Sequence, residues 1–213
     1  MASRGKFVTF EGGEGAGKST QARLLKMALE AREHSVVLTR EPGGAPGAED
    51  IRTLLVQGDP DRWTPLSETL LFLAARADHV ARTIEPALAQ GQWVISDRFS
   101  DSTFVYQGVA RGLGMERVRH LQHMAFGDFA PDLTLILDLS PDQGLNRAAG
   151  RPSQANQENR FERFDLKFHR RLREGFLKLA ADEPKRCAVI DAARNVDAVA
   201  AEVWRVVEER LHP

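Results

Sequence analysis

The hydrophobic positions of this chain gather into five short apolar runs: Phe7–Glu11, Val36–Arg40, Trp93–Asp97, residues 133–139 and Cys187–Asp191. Runs so short and so continuously apolar suit strands covered on both faces. Between them lie longer stretches with helical spacing, such as Leu24, Leu25, Met27 and Ala28 after the first run. The alternation predicts an α/β fold, a five-stranded parallel sheet with right-handed crossovers and helices on both faces.

The breaks between elements are also legible. Residues 40–47 are too rich in Pro and Gly for a helix, and a short helix is expected from about 48 to 56. Thr64-Pro65 reads as an N-cap and first helical residue, opening a helix through Arg82, with Pro86 a break or fresh start. The segment 99–108 mixes polar and aromatic residues, as a ligand-lining element would. Helices are expected over 115–126, from Ser140-Pro141 to about Arg147, over 160–181 and over 197–211. Residues 148–159 have no apolar period and read as an exposed mobile loop, a short lid at about 148–160. No repeat or interdomain linker interrupts residues 1–213, so one domain is expected.

Composition narrows the picture only slightly. The 213 residues are 42% hydrophobic, enough for one good core, and the formal charge of −1 argues against a strongly nucleic-acid-binding surface. One cysteine, Cys187, excludes an internal disulfide and fits a reducing compartment. No apolar run approaches a membrane span, and Met1-Ala2-Ser3-Arg4-Gly5-Lys6 lacks the apolar core of a signal peptide. A cytoplasmic protein is expected. His79 reads as a helix surface or interface residue, and Cys187 as buried filler.

The chemistry enters between the first strand and the helix that follows. Gly12-Gly13-Glu14-Gly15-Ala16-Gly17-Lys18-Ser19 fits G-x-x-x-x-G-K-[ST], and Thr20 continues it. Glycines let backbone N–H groups wrap an anion, and the helix N-terminus adds partial positive charge. Lys18 can reach the β- and γ-phosphates, and the Ser19 hydroxyl can join a Mg²⁺ shell. The motif predicts nucleoside triphosphate binding. Other polar residues stand at strand carboxyl ends, where ligands gather in such sheets: Glu11, Arg40-Glu41, Asp97-Arg98 and Asp138.

With Glu11-Gly-x-Glu14-Gly-Ala-Gly-Lys-Ser, Arg40-Glu41-Pro42-Gly43-Gly44, Asp97-Arg98 followed by Tyr106-Gln107-Gly108, and Pro131-Asp132-Leu133-Thr134, the chain resembles the bacterial thymidylate kinases over nearly its whole length. The resemblance implies ATP-dependent phosphoryl transfer to dTMP, giving dTDP, on a fold shared with other nucleoside monophosphate kinases, and a homodimer. An acceptor phosphate is already largely dianionic, so cations that hold two anions in line matter more than a general base. Lys18 and Mg²⁺ would supply part of that charge. Arg98 is the first choice to bridge the acceptor phosphate, with Arg52 a further contact or a solvated helix face. Asp97 would hold Mg²⁺ directly or through water, or serve as a structural ion pair. Glu14 would accept a hydrogen bond from the sugar 3′-hydroxyl. The phosphate loop lacks the arginine that some relatives carry, so Arg147, Arg151 or Arg160 from the lid would complete the charge, Arg151 and Arg160 as catalytic residues and Arg147 on the ATP side. At the base, Phe72 would stack and Arg76, one turn on, would bond a ring oxygen. Thr103 or Ser102 and Gln107 would flank it, Tyr106 would crowd the 2′ position, and Glu41 would line the same acceptor site. A different small nucleotide or nucleoside kinase is the nearest alternative. A guanine-reading switch would carry N-K-x-D, which the sequence lacks.

Overall fold

The computed structural model describes residues 4–150 and 160–213. Five strands form one parallel sheet: β1 (Phe7–Glu11), β2 (Val36–Arg40), β3 (Trp93–Asp97), β4 (Leu133–Asp138) and β5 (Cys187–Asp191). Their order is β2-β3-β1-β4-β5, which puts β1 at the centre. Only β4 departs from the expected limits, ending at Asp138, one residue early.

Alternation along each strand divides the core between the two faces. Val8, Phe10, Leu133, Leu135 and Leu137 pack with α1 (Lys18–Glu30) and, at the chain's end, Val196–Leu211. On the opposite face, Phe7 and Val94 meet the helical stretch that follows α2 (Pro46–Val56) and α3 (Pro65–His79). That stretch passes without a break through a wide turn, Val80–Ile84, into α4 (Glu85–Ala89), so Pro86 marks neither the expected break nor a fresh start: the wide turn accommodates it within one continuous helical run. Thr64 caps α3 as expected, its hydroxyl accepting from the Ser67 amide at 3.2 Å.

After β3 the chain forms α5 (Ser100–Thr103) and a π-helical segment, Phe104–Ala110, then α6 (Met115–Phe126). After β4 come α7 (Pro141–Ala149), α8 (Leu166–Asp182) and α9 (Val196–Leu211). The helix expected from residue 160 therefore starts at Leu166. Asp165 is its true cap, taking the Phe168 amide at 2.7 Å, and Arg160 lies outside it.

Candidate active site

The phosphate loop runs from the end of β1 into α1, with Gly17 at φ 91° as the residue that turns into the helix. The loop is seated on α7. Gly15, at φ 67°, has the Gly144 carbonyl oxygen 2.0 Å from where a Cβ would stand, and a Cβ on Gly144 would meet the Glu14 carbonyl at 2.3 Å. Two backbones can approach this closely only because both residues lack side chains. Lys18 is buried, and its Nζ donates to the carbonyls of Gly13 at 2.7 Å and Gly12 at 3.3 Å. Burial, and then the neighbouring Arg98, lower its pKa to about 8. Ser19 Oγ donates to Asp97 Oδ2, so the two oxygen groups expected at a cation stand together beside Lys18.

Arg98 follows β3 in the left-handed region, φ 72°, a conformation that a non-glycine residue holds at a cost and that clusters at functional sites. Its neighbours hold it there. The guanidinium donates to the Gly12 carbonyl at 2.9 Å, to Ser102 Oγ at 3.1 Å and to Glu14 Oε1 at 2.9 Å, with the Tyr106 ring 5.0 Å away. Tyr106 donates to the same Glu14 oxygen at 2.7 Å, and burial keeps the phenol protonated, well above its ordinary range. Beneath this group lies Glu11, fully buried, accepting from the Phe99 amide at 2.7 Å and from Ser102 Oγ at 2.6 Å. Burial first, and Asp101 second, raise its pKa to about 7.

The base end is built around a buried arginine. Arg76 donates through Nε to Glu41 at 2.8 Å, and through its two terminal nitrogens to Gln122 and Thr103, each at 2.9 Å. Glu41's other oxygen meets His79 Nδ1 at 3.0 Å, and His79 Nε2 meets Thr39 Oγ1 at 2.7 Å. His79 is therefore a fully buried network residue, not a surface one. Glu41 is positioned to hold Arg76, since both of its oxygens are already engaged.

One cavity of about 750 Å³ joins these groups. Of the expected residues, Glu14, Gly15, Gly17, Lys18, Ser19, Thr20, Glu41, Arg52, Phe72, Arg76, Asp97, Arg98, Ser102, Thr103, Tyr106, Gln107 and Arg147 line it. Gly12, Gly13 and Ala16 complete the loop behind. Arg52 also donates to the Pro42 carbonyl at 2.6 Å, and Arg147 to the Ala192 carbonyl at 3.2 Å. Arg151 lies outside the described residues. Arg160 is described and does not reach the phosphate loop. It is fully buried, its guanidinium taken by the carbonyls of Leu55, Asp59 and Pro60 and by Glu68. The role of a charge delivered to the transferring phosphate does not fit that seat.

Arg40, expected at a ligand-gathering strand end, lines the cavity too, whereas sequence reasoning missed Arg23, Phe161 and Glu162. Phe161 stands 5.5 Å from Tyr106 and 6.1 Å from Phe72, ring to ring. The aromatic spacing Phe161, Phe164, Phe168 was the available signal, obscured by extending the helix to residue 160.

Comparison with known proteins agrees with this geometry. A family model for thymidylate kinase matches residues 10–203. A thymidylate kinase of Ruegeria pomeroyi is 53% identical over 212 residues, covering 100% of this chain and 99% of that one. One of Caulobacter vibrioides is 52% identical over 209 residues, with 98% and 99% covered. The crystal structure of thymidylate kinase from Ehrlichia chaffeensis superposes with a TM-score of 0.76 at 35% identity, covering 96% of this chain and 99% of that one. Likeness of this extent, in sequence and in fold together, makes the chain a member of the thymidylate kinase family.

Proposed function

We propose that the chain transfers the γ-phosphoryl group of ATP to dTMP, giving dTDP. The observation that carries this reading is the shared cavity, with Lys18 and the phosphate loop at one end, Arg98 in the middle, and Phe72, Arg76 and Gln107 at the other. A triphosphate on the loop and a monophosphate reaching toward it from the base end would meet at Arg98. Its guanidinium can bridge two phosphates as a fork, where a lysine offers only a point charge. Glu14 and Tyr106 keep that fork aimed before substrate arrives, so little reorganisation is left to the reaction itself. The nucleophile is the acceptor's own ionised oxygen, so the chain supplies alignment and positive charge but no base.

Ser19 and Asp97 offer the hard oxygen donors that Mg²⁺ prefers, and we assign them to that ion. When bound, Mg²⁺ supplies charge neutralisation across the donor's phosphates. The Glu14 carboxylate is the group we assign to the sugar 3′-hydroxyl. A cytoplasmic setting and assembly as a homodimer belong to the same proposal. No helix among the described residues is long and apolar enough to cross a membrane.

The test is a coupled ADP-release assay with ATP, Mg²⁺ and a panel of nucleoside monophosphates and their parent nucleosides. dTMP should lead, and dUMP should follow within about ten-fold, because a single methyl is worth about 1 kcal/mol. Silence with dTMP alongside brisk turnover of an unphosphorylated nucleoside would overturn the reading.

A further inference from the structure

Arg160 and Glu68 are both 0% exposed and meet at 2.5 Å between Nη2 and Oε2. Each also reaches into the wall of the substrate cavity. The Glu68 Oε1 accepts from Gln107 Nε2 at 2.9 Å, and Gln107 lines the base end. The Arg160 guanidinium closes the C-terminal end of α2 through the Leu55 carbonyl at 3.1 Å, and ties the following turn through Asp59 at 2.9 Å and Pro60 at 2.6 Å. Its own amide donates to the Val56 carbonyl at 3.3 Å. Val56 and Phe161, the residues fixed at either side of this knot, line the same cavity. A buried ion pair is weak evidence of stabilisation, since an apolar replacement often does as well.

We propose that Glu68 and Arg160 act together as a clamp that positions the acceptor's pyrimidine. Neither touches the substrate. Glu68 fixes the amide of Gln107, and Arg160 fixes Phe161 beside Phe72 and Tyr106, so the base meets a wall already set in place. The inference rests on dTMP being the acceptor. It makes specificity at the base depend on a pair hidden behind the cavity, while the phosphate-loop end works without it.

The experiment measures steady-state kinetics and thermal unfolding for Glu68→Gln, Arg160→Lys and Phe161→Leu, and for Arg160→Lys in the Phe161→Leu background. Arg160→Lys keeps the charge beside Glu68 but cannot span three carbonyls, so it stays folded where Glu68→Gln risks leaving a buried cation unpaired. The expected result is a rise of about ten-fold in KM for dTMP, with KM for ATP and turnover at saturating dTMP within about three-fold of wild type. The Arg160→Lys effect should largely vanish once Phe161 is already Leu, because the two changes act through one wall. Wild-type KM for dTMP in folded Arg160→Lys would overturn the clamp, as would a loss confined to turnover or ATP, or full additivity with Phe161→Leu. Wild-type protein silent toward dTMP would instead overturn the acceptor assignment beneath it.

Discussion

Replacing Glu11 by Gln should change how stability depends on pH far more than it changes the fold. The carboxyl is fully buried under Arg98, with its pKa raised from 4.5 to about 7 by burial and then by Asp101, against the partial relief of Arg98 and the Ser102 and Phe99 hydrogen bonds. The folded protein thus keeps a proton that the unfolded chain gives up near pH 4.5. Glu11's contribution is complete below 4.5 and is lost as pH rises through about 7. Between pH 5 and pH 8 that loss comes to about 2–3 kcal/mol. Gln keeps the shape and can still accept from the Phe99 amide, but it does not titrate. Urea unfolding of both proteins at pH 5, 6, 7 and 8 would read the difference. The gap between wild type and variant should move by about 2–3 kcal/mol in favour of Gln as pH rises. A gap constant to within about 0.5 kcal/mol would refute a strained, half-protonated Glu11.

Three further outcomes follow from the same geometry. Lys18, at a pKa of about 8 in the free protein, should take up roughly half a proton when MgATP binds at pH 8, read by calorimetry in buffers of different ionisation enthalpy; Lys18→Ala should abolish that uptake and cut turnover by orders of magnitude. Gly144→Ala should lower kcat/KM by about 10²-fold without unfolding the protein, because its Cβ would stand 2.3 Å from the Glu14 carbonyl and displace the phosphate loop; unchanged kinetics would separate α7 from catalysis. Cys187, buried and pushed up to about 12 by burial and Asp101, should ignore Ellman's reagent at pH 8 until the protein is unfolded, and prompt labelling of native protein would contradict its burial.

Much of the fold was legible because apolar runs in a covered parallel sheet carry little ambiguity, and the phosphate loop because its chemistry demands glycines at fixed spacing. Helix limits failed where a cap was passed over. Asp165 ends the turn before α8, but charged and aromatic residues from 160 onward share a helical period that hides it. The errors at the site have a different origin. Arg160 and His79 look like surface residues in sequence, and their burial depends on Glu68 and on Glu41 with Thr39, partners brought near only by the completed sheet. The wide π-helical segment Phe104–Ala110, which carries Tyr106 and Gln107 into the cavity, has no sequence period of its own to announce it.

The strand order also bears on how the chain is made. Among the described residues, β1 pairs only with β3 and β4, and β2 only with β3. A growing chain that ends before Trp93 has therefore synthesised two strands and cannot pair either of them. The sheet gains its first ladder when β3 emerges, and the centre closes only with β4, which also brings the Leu137 carbonyl within 2.5 Å of where a Gly12 Cβ would stand. The phosphate loop thus gains its full set of neighbours only once β4 and α7 have been made. Before β3 emerges, Phe7, Val8, Phe10 and Val36 have no strand partner, and a chain stalled in that interval exposes unpaired apolar strands open to aggregation and to proteases.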